Sequence, residues 1–326
     1  MDRIICSSVL KEYDLGEKCL SVLPLTGGLL HRMLRLDTES GSYAVKILTP
    51  EIVKWPAALG DLEYGEDLAR ACLQSGIPAV TALRRRGRSV TRLDVAGIGN
   101  VSVMVFPYVD AVMNRDPLDP EEAAKLMGAL HGIHQTGIRG KQGKEGIADA
   151  AFPVYAQRAE KAGEPFAPLL FSLVPELVRI QEAAGKALQN AENRIVISHR
   201  DLDRKNVLWD RQRHPYLIDW ESAGPVPRAQ EVIDVALSWA QKDDGSVDLP
   251  QFVLLVDSYE ALGDRFSEQE KRNGFYESFL PRLGWLRYSL DRALEGDGED
   301  RQAGREQTEL TLRQIRGILS RESAVI

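Results

Sequence analysis

The chain predicts an α+β fold in two parts: a small β-rich N-terminal lobe over residues 1–108 with one key helix, and a larger, mainly helical lobe over 109–326. Three observations carry this. Short β-compatible runs broken by turn residues fill the first hundred or so positions. Apolar spacing of 3.6 residues dominates from Asp119 onward, and a polar loop framed by short apolar runs interrupts the helical half at 198–209. A length of 326 residues is enough for two lobes, and 44% hydrophobic with 27% charged residues is ordinary globular composition.

In the N-terminal part, residues 20–25 and 29–36 read as strands split by Thr26-Gly27-Gly28, and a turn at 38–41 leads into a strand over 42–48. Alternation places Tyr43, Val45 and Ile47 on one face and Ala44, Lys46 and Leu48 on the other, so Lys46 is a cation between apolar neighbours. Residues 61–75 read as a helix closed by Gly76 and Pro78, with Leu62, Gly65, Ala69, Cys72 and Leu73 as its inward stripe. Glu66 falls inside that stripe, whereas Glu63, Asp67, Arg70 and Gln74 share the wet face. A carboxylate on an apolar face is costly unless paired, and Lys46 is the expected counter-ion, with Glu63 as the alternative acid. Gly27-Gly28 lacks GxGxxG spacing and fits both a plain hairpin turn and a close approach of main-chain amides to phosphate. The strand over 101–109 must end at Pro107, which makes Phe106 and Tyr108 the start of a linker whose main-chain groups suit an adenine edge.

The second part opens with Asp119 as N-cap, Pro120 in the first turn and Glu122 in the capping-box position. Ala123, Leu126, Met127, Leu130 and Ile133 form the buried stripe of that helix. His131 and His134 read as buried, hydrogen-bonded histidines, since no acid lies near them in sequence to complete a metal site. Residues 137–146 read as an exposed loop. Helical patterns follow at 176–190, 227–241, 249–262 and 275–294, and Leu310, Leu312, Ile315 and Ile318 predict that the tail packs.

The loop itself carries the chemistry. His199-Arg200-Asp201-Leu202-Asp203-Arg204-Lys205-Asn206 repeats the His-Arg-Asp-x4-Asn spacing of kinase catalytic loops, and Asp219 follows thirteen residues after Asn206. Moving a γ-phosphoryl group needs an aligned hydroxyl and a neutralised polyphosphate more than covalent help. Asp201 is placed to orient the hydroxyl. Asn206 and Asp219 supply hard oxygens of the kind magnesium takes, one or two from protein and the rest from water and phosphate.

Composition excludes other classes. A net charge of −7 disfavours a nucleic-acid partner, and the one dense basic run, Arg84-Arg85-Arg86 with Arg88, reads as a solvated hairpin turn around Gly87. Negative charge fits a cationic small substrate and equally the dispersal of a soluble protein. Cys6, Cys19 and Cys72 have neither disulfide nor zinc spacing. No run approaches the roughly 20 apolar residues of a membrane span, and the first ten residues reach a charged stretch too soon for a secretory signal, so a cytoplasmic protein is expected.

Taken together, the chain resembles the aminoglycoside phosphotransferase and choline kinase group within the protein-kinase-like fold. The matching segments are Gly27-Gly28, Tyr43-Ala44-Val45-Lys46-Ile47-Leu48, Glu66 followed by Gly76-Ile77-Pro78-Ala79-Val80, the strand-to-Pro hinge, Leu130-His131-Gly132-Ile133-His134, the loop at 198–209, and Leu217-Ile218-Asp219-Trp220-Glu221. The last two are the specific ones. The resemblance implies ATP in a cleft, Asp201 as the catalytic Asp, Asn206 and Asp219 as magnesium ligands, Lys46 on the phosphates and Glu66 as its partner. It implies a small hydroxylated acceptor: an aminoglycoside or other antibiotic, as in resistance enzymes, or else choline, an amino alcohol or an amino sugar. Asp203, Glu221, Tyr259, Trp285 and Tyr288 are the residues expected near that acceptor. Arg200 and Asp203 depart from the group's usual loop, and either Glu231 or Asp234 stands in for its loop-bracing Asp. The absence of a DFG motif and an APE segment argues against a protein kinase.

Overall fold

Strand alternation and turn chemistry in the first hundred residues produce a five-stranded antiparallel sheet, preceded by a helix. The computed structural model describes residues 1–25, 31–114, 116–138, 151–189 and 194–326. It divides into two compact units, one of Met1–Arg115 with His199–Gly224 and one of Asp116–Ser198 with Pro225–Ile326.

The first unit begins with α1 (Asp2–Tyr13), followed by β1 (Cys19–Leu25), β2 (Arg32–Thr38) and β3 (Gly41–Ile47). After α2 (Pro50–Val53) and α3 (Pro56–Gln74) come β4 (Thr91–Val95), β5 (Gly99–Pro107) and the short β6 (Val112–Met113). The sheet order is β1-β2-β3-β5-β4. Lys46 lies opposite Met33 on β2 and Met104 on β5, so the lysine emerges in mid-sheet. One face packs Val45, Leu34, Leu36, Val103 and Val105 against Ile5, Cys6 and Val9 of α1. The other packs Leu48 and Met104 against Leu62 and Ala82. The alternation expected for β3 therefore holds on both faces.

Three details differ from expectation. Helix α1 was not read from the sequence, because its polar Ser7, Ser8 and Lys11 weaken the periodic signal, although Ile5, Cys6, Val9 and Leu10 are buried. Helix α3 starts five residues earlier than expected, with a proline in its first turn. Leu73 is 47% exposed and Leu68 takes its place in the interior.

The second unit continues with α4 (Pro120–Gln135), α5 (Phe152–Lys161), α6 (Ala167–Leu188) and β7 (Ile195–Ser198). The capping box at Asp119 and Glu122 is present in both directions, and all five stripe residues of α4 are buried. The chain then returns to the first unit. There a single 3-10 turn (Arg204–Asn206), β8 (Val207–Trp209), β9 (Pro215–Leu217) and a second 3-10 turn (Trp220–Ser222) follow one another. β9 is stitched to the N-terminal segment: Leu217 N–H donates to the Pro78 carbonyl at 2.8 Å, and Val80 N–H donates to the Leu217 carbonyl at 2.9 Å.

From β10 (Gly224–Pro227) the chain is helical: α7 (Arg228–Ala240), α8 (Leu249–Glu260), α9 (Glu268–Glu277), α10 (Phe279–Glu295), α11 (Gly298–Leu319) and α12 (Glu322–Val325). The tail packs through Leu312, Ile315 and Ile318, which are fully buried, whereas Leu310, expected with them, is 40% exposed. His131 and His134 are hydrogen-bonded, but the expectation that they lack acids is corrected. His131 Nε2 lies 3.0 Å from Asp264, and His134 Nε2 lies 2.9 Å from Glu231. Those acids are about a hundred residues away in sequence, so only packing reveals them. Most of the loop expected at 137–146 falls outside the described residues. No described helix is long and apolar enough to cross a membrane.

Candidate active site

The loop from His199 is held by its own polar groups. The Asp201 N–H donates to His199 Nδ1 at 3.3 Å, which leaves His199 Nε2–H to donate to the Ile218 carbonyl at 3.0 Å. The His199 ring packs on Trp220 with centroids 4.5 Å apart. His199 is thus structural, tying the 201 loop to the 219 turn. Asn206, 3% exposed, donates through Nδ2 to both the Asp201 carbonyl and carboxylate at 2.8 Å, while its own carbonyl accepts the Ile218 N–H at 3.0 Å. Asp201, Asn206 and the Asp219 segment are therefore fastened together by adjacent hydrogen bonds. Arg200 and Asp219 both sit in the left-handed region, at φ 67° and 63°. Non-glycine residues held there cost about 1–3 kcal/mol and concentrate where geometry matters for function.

Lys46 is 7% exposed and places Nζ 2.8 Å from Asp219 Oδ1 and 2.8 Å from Glu221 Oε2. Burial works against its charge, but the two carboxylates more than compensate and raise its pKa. Glu221 also faces His31 Nε2 at 3.5 Å, and His31 is oriented because its Nδ1 accepts the Thr49 N–H at 3.1 Å. Burial would push the Glu221 carboxyl up; His31 and Lys46 outweigh it and hold the group at about 2.

The expected Lys46–Glu66 ion pair is not formed. Glu66 is buried, as its place in the α3 stripe predicts, yet its carboxylate accepts the Ala82 N–H at 2.6 Å. Burial raises its pKa to about 7, with the Ala82 bond and the Arg70 and Lys46 charges opposing. The turn after Asp219 brings a second carboxylate to Lys46, and the lysine takes the pair there. Glu63, the alternative, instead accepts the Ser89 and Val90 N–H groups.

Glu221, expected near the acceptor, is thus bound to Lys46. Asp203 caps the 3-10 turn: Oδ1 accepts the Lys205 N–H at 3.0 Å and Oδ2 the Lys205 ammonium at 2.7 Å. Its pKa is raised by burial and by the Asp201 charge. Phe106 pairs with Ala44 across the sheet, while Tyr108 N–H donates to the Ser42 carbonyl at 3.0 Å and its ring lies under the Arg35 guanidinium. Gly27 and Gly28 lie outside the described residues. In the second unit, Tyr259 is fully buried, its hydroxyl 2.7 Å from His134 Nδ1 and its ring stacked on Phe266, so it is an interior residue. Trp285 and Tyr288 pack on each other along α10 with centroids 5.4 Å apart, and Tyr288 stays exposed. Glu231 holds His134 and Asp234 pairs with Arg282.

Sequence reasoning missed two members of this cluster, His31 and Lys205, and gave Glu221 a different role, beside the acceptor. Glu221 was visible two residues after Asp219, but nothing local marked it as a lysine partner. His31 carried no signal. Lys205 stood in the motif and was passed over.

The sequence model of the phosphotransferase enzyme family matches residues 21–262, and the chain belongs to that family. The fold is shared with solved small-molecule kinases. A spectinomycin phosphotransferase bound to ADP and spectinomycin superposes with a TM-score of 0.71 at 14% identity, covering 97% of this chain and 98% of that one. A microcompartment-associated aminopropanol kinase gives 0.68 at 16% identity, with 99% and 98% covered. An ethanolamine kinase of Plasmodium vivax gives 0.59 at 14%, with 94% and 86% covered. None of the curated proteins matches the chain.

Proposed function

We propose that the chain is an ATP- and magnesium-dependent phosphotransferase that moves a γ-phosphoryl group to a hydroxyl of a small molecule. The observation that carries this is the joining of Asp201, Asn206, Asp219 and Lys46 within one unit by hydrogen bonds of 2.8 to 3.0 Å. The family match and the ADP-bound neighbour support nucleotide use.

The donor set fits magnesium. With Nδ2 committed to Asp201, the Asn206 amide keeps Oδ1 for a cation, and Asp219 keeps Oδ2 while Oδ1 holds Lys46. Asn206 and Asp219 would supply two hard oxygens, which is the share magnesium usually takes from protein. When bound, it would supply positive charge against the polyphosphate of the nucleotide. Lys46, withdrawn into mid-sheet and charged, suits the α- and β-phosphates. Asp201 accepts the proton of the attacking hydroxyl, and Asn206 holds that carboxylate in orientation.

The acceptor belongs to the class of small hydroxylated molecules that includes aminoglycosides, amino alcohols and amino sugars, which span the substrates named for the neighbours. An ADP-release screen over aminoglycosides, macrolides, amino sugars and amino alcohols tests the reading. At least one acceptor should stimulate turnover, and ATP binding with no turnover on the whole panel would favour a nucleotide sensor instead.

A further inference from the structure

Lys205 sits in the catalytic loop where its ammonium meets two carboxylates. Its Nζ lies 2.7 Å from Asp203 Oδ2, 3.2 Å from Asp201 Oδ2 and 3.4 Å from Asp201 Oδ1. The backbone is fixed by the same partner, since Asp203 Oδ1 accepts the Lys205 N–H at 3.0 Å and Asp203 caps the 3-10 turn. Asp203 therefore holds both ends of one lysine, and the side chain stays 42% exposed. This cation is presented by a built loop and is free to travel on its four-carbon stem.

We propose that Lys205 is a further catalytic residue, which leaves Asp201 during the reaction and binds an equatorial oxygen of the γ-phosphoryl group in flight. The role rests on the phosphotransferase reading above. A proton acceptor works within about 2.6–3.2 Å of the hydroxyl it serves, and the phosphorus is the next atom beyond that oxygen. A lysine already touching the Asp201 carboxylate needs only a small swing to reach the phosphoryl oxygens. The charge pattern agrees. Asn206 occupies Asp201 Oδ2, so Oδ1 takes the proton, and Lys205 is the group poised beside both.

The step balances. The acceptor oxygen forms a bond to the γ-phosphorus, the bridging P–O bond to the β-phosphate breaks, and ADP leaves with that electron pair. The acceptor proton passes to Asp201. Three equatorial oxygens carry spread charge in the transition state. A cation that meets those oxygens as the bond to ADP loosens stabilises the transition state more than ground-state ATP, and so acts on kcat. Asp203 returns the lysine to the loop afterward.

The test uses the purified full chain with MgATP, water serving as acceptor, and with ADP, magnesium and aluminium fluoride as a transition-state analogue. In Lys205→Met, affinity for the ADP–aluminium fluoride complex should fall about a hundredfold, the scale of one lost charge-stabilising donor. ADP affinity should stay within twofold, kcat for ATP hydrolysis should fall in parallel with the analogue, and KM for ATP should hold. Lys205→Arg should regain at least tenfold. Loss of ADP and analogue affinity together would make Lys205 a loop-shaping residue and overturn the role, as would unchanged affinity for both. A wild-type chain that neither hydrolyses MgATP nor binds the analogue would overturn the phosphotransferase reading, and this role with it.

Discussion

Gly65 lies against the main-chain carbonyl of Trp220, so close that a methyl group at Gly65 would overlap the Trp220 oxygen. Helix α3 therefore approaches the Asp219 turn backbone to backbone. Gly65→Ala should push that turn away from Lys46. Overpacking of this kind costs typically about 1–3 kcal/mol. The expected outcome is a lower melting temperature together with a rise in KM for MgATP, read by thermal unfolding and ADP-release kinetics. A variant with wild-type stability and kinetics would show that the contact is dispensable.

Glu66 predicts a pH dependence. Its carboxyl titrates near 7 in the folded chain and near its ordinary 4.5 when unfolded. Between those values the folded state binds more protons than the unfolded state, so stability falls as pH rises from 4.5 to 7. Glu66→Gln retains an acceptor for the Ala82 N–H and removes the titration. The stability difference between wild type and Glu66→Gln, from urea melts at pH 5 and 7.5, should shift toward the variant at the higher pH by on the order of 2–3 kcal/mol. A difference independent of pH would mean that Glu66 titrates normally.

Glu221 predicts the reverse sign. Its carboxyl is held at about 2, so the stability it contributes is present above the ordinary 4.5 and is lost as pH falls from 4.5 toward 2. His31→Ala should shorten that reach by removing a hydrogen-bond donor. Acid-unfolding midpoints should therefore move to higher pH in the variant, and an unmoved midpoint would place the stabilisation on Lys46 alone.

Much of this was legible from local pattern, and the rest was not for identifiable reasons. Strands β3, β5, β8 and β9 and the capped start of α4 follow from alternation and turn chemistry within a few residues. The spacing of Asp201, Asn206 and Asp219 was visible because a catalytic loop and the turn after it are short-range features. Which acid holds Lys46 was not, since the α3 stripe singles out Glu66, nothing near Glu221 in sequence marks it as a lysine partner, and the choice depends on how the turn after Asp219 approaches the sheet. His134 with Glu231 and Tyr259 was hidden because its members come from three separate helices.

That buried trio gives a stability prediction. Glu231 is 3% exposed and bonded to His134 Nε2, whose other nitrogen meets Tyr259. Glu231→Ala leaves a buried donor unsatisfied, at a cost of about 1–3 kcal/mol. Chemical denaturation should show that loss, and Glu231→Gln, which keeps an acceptor for His134, should recover part of it.

The central claim is that one aspartate of the 201–206 loop takes the proton of the attacking hydroxyl while its neighbours hold the nucleotide. The most direct measurement is the single-turnover rate of ADP formation at saturating MgATP in wild type and Asp201→Asn, beside ATP affinity by calorimetry. The account predicts a rate lower by about 10²–10⁴ with ATP affinity preserved. A variant that turns over at the wild-type rate would contradict it.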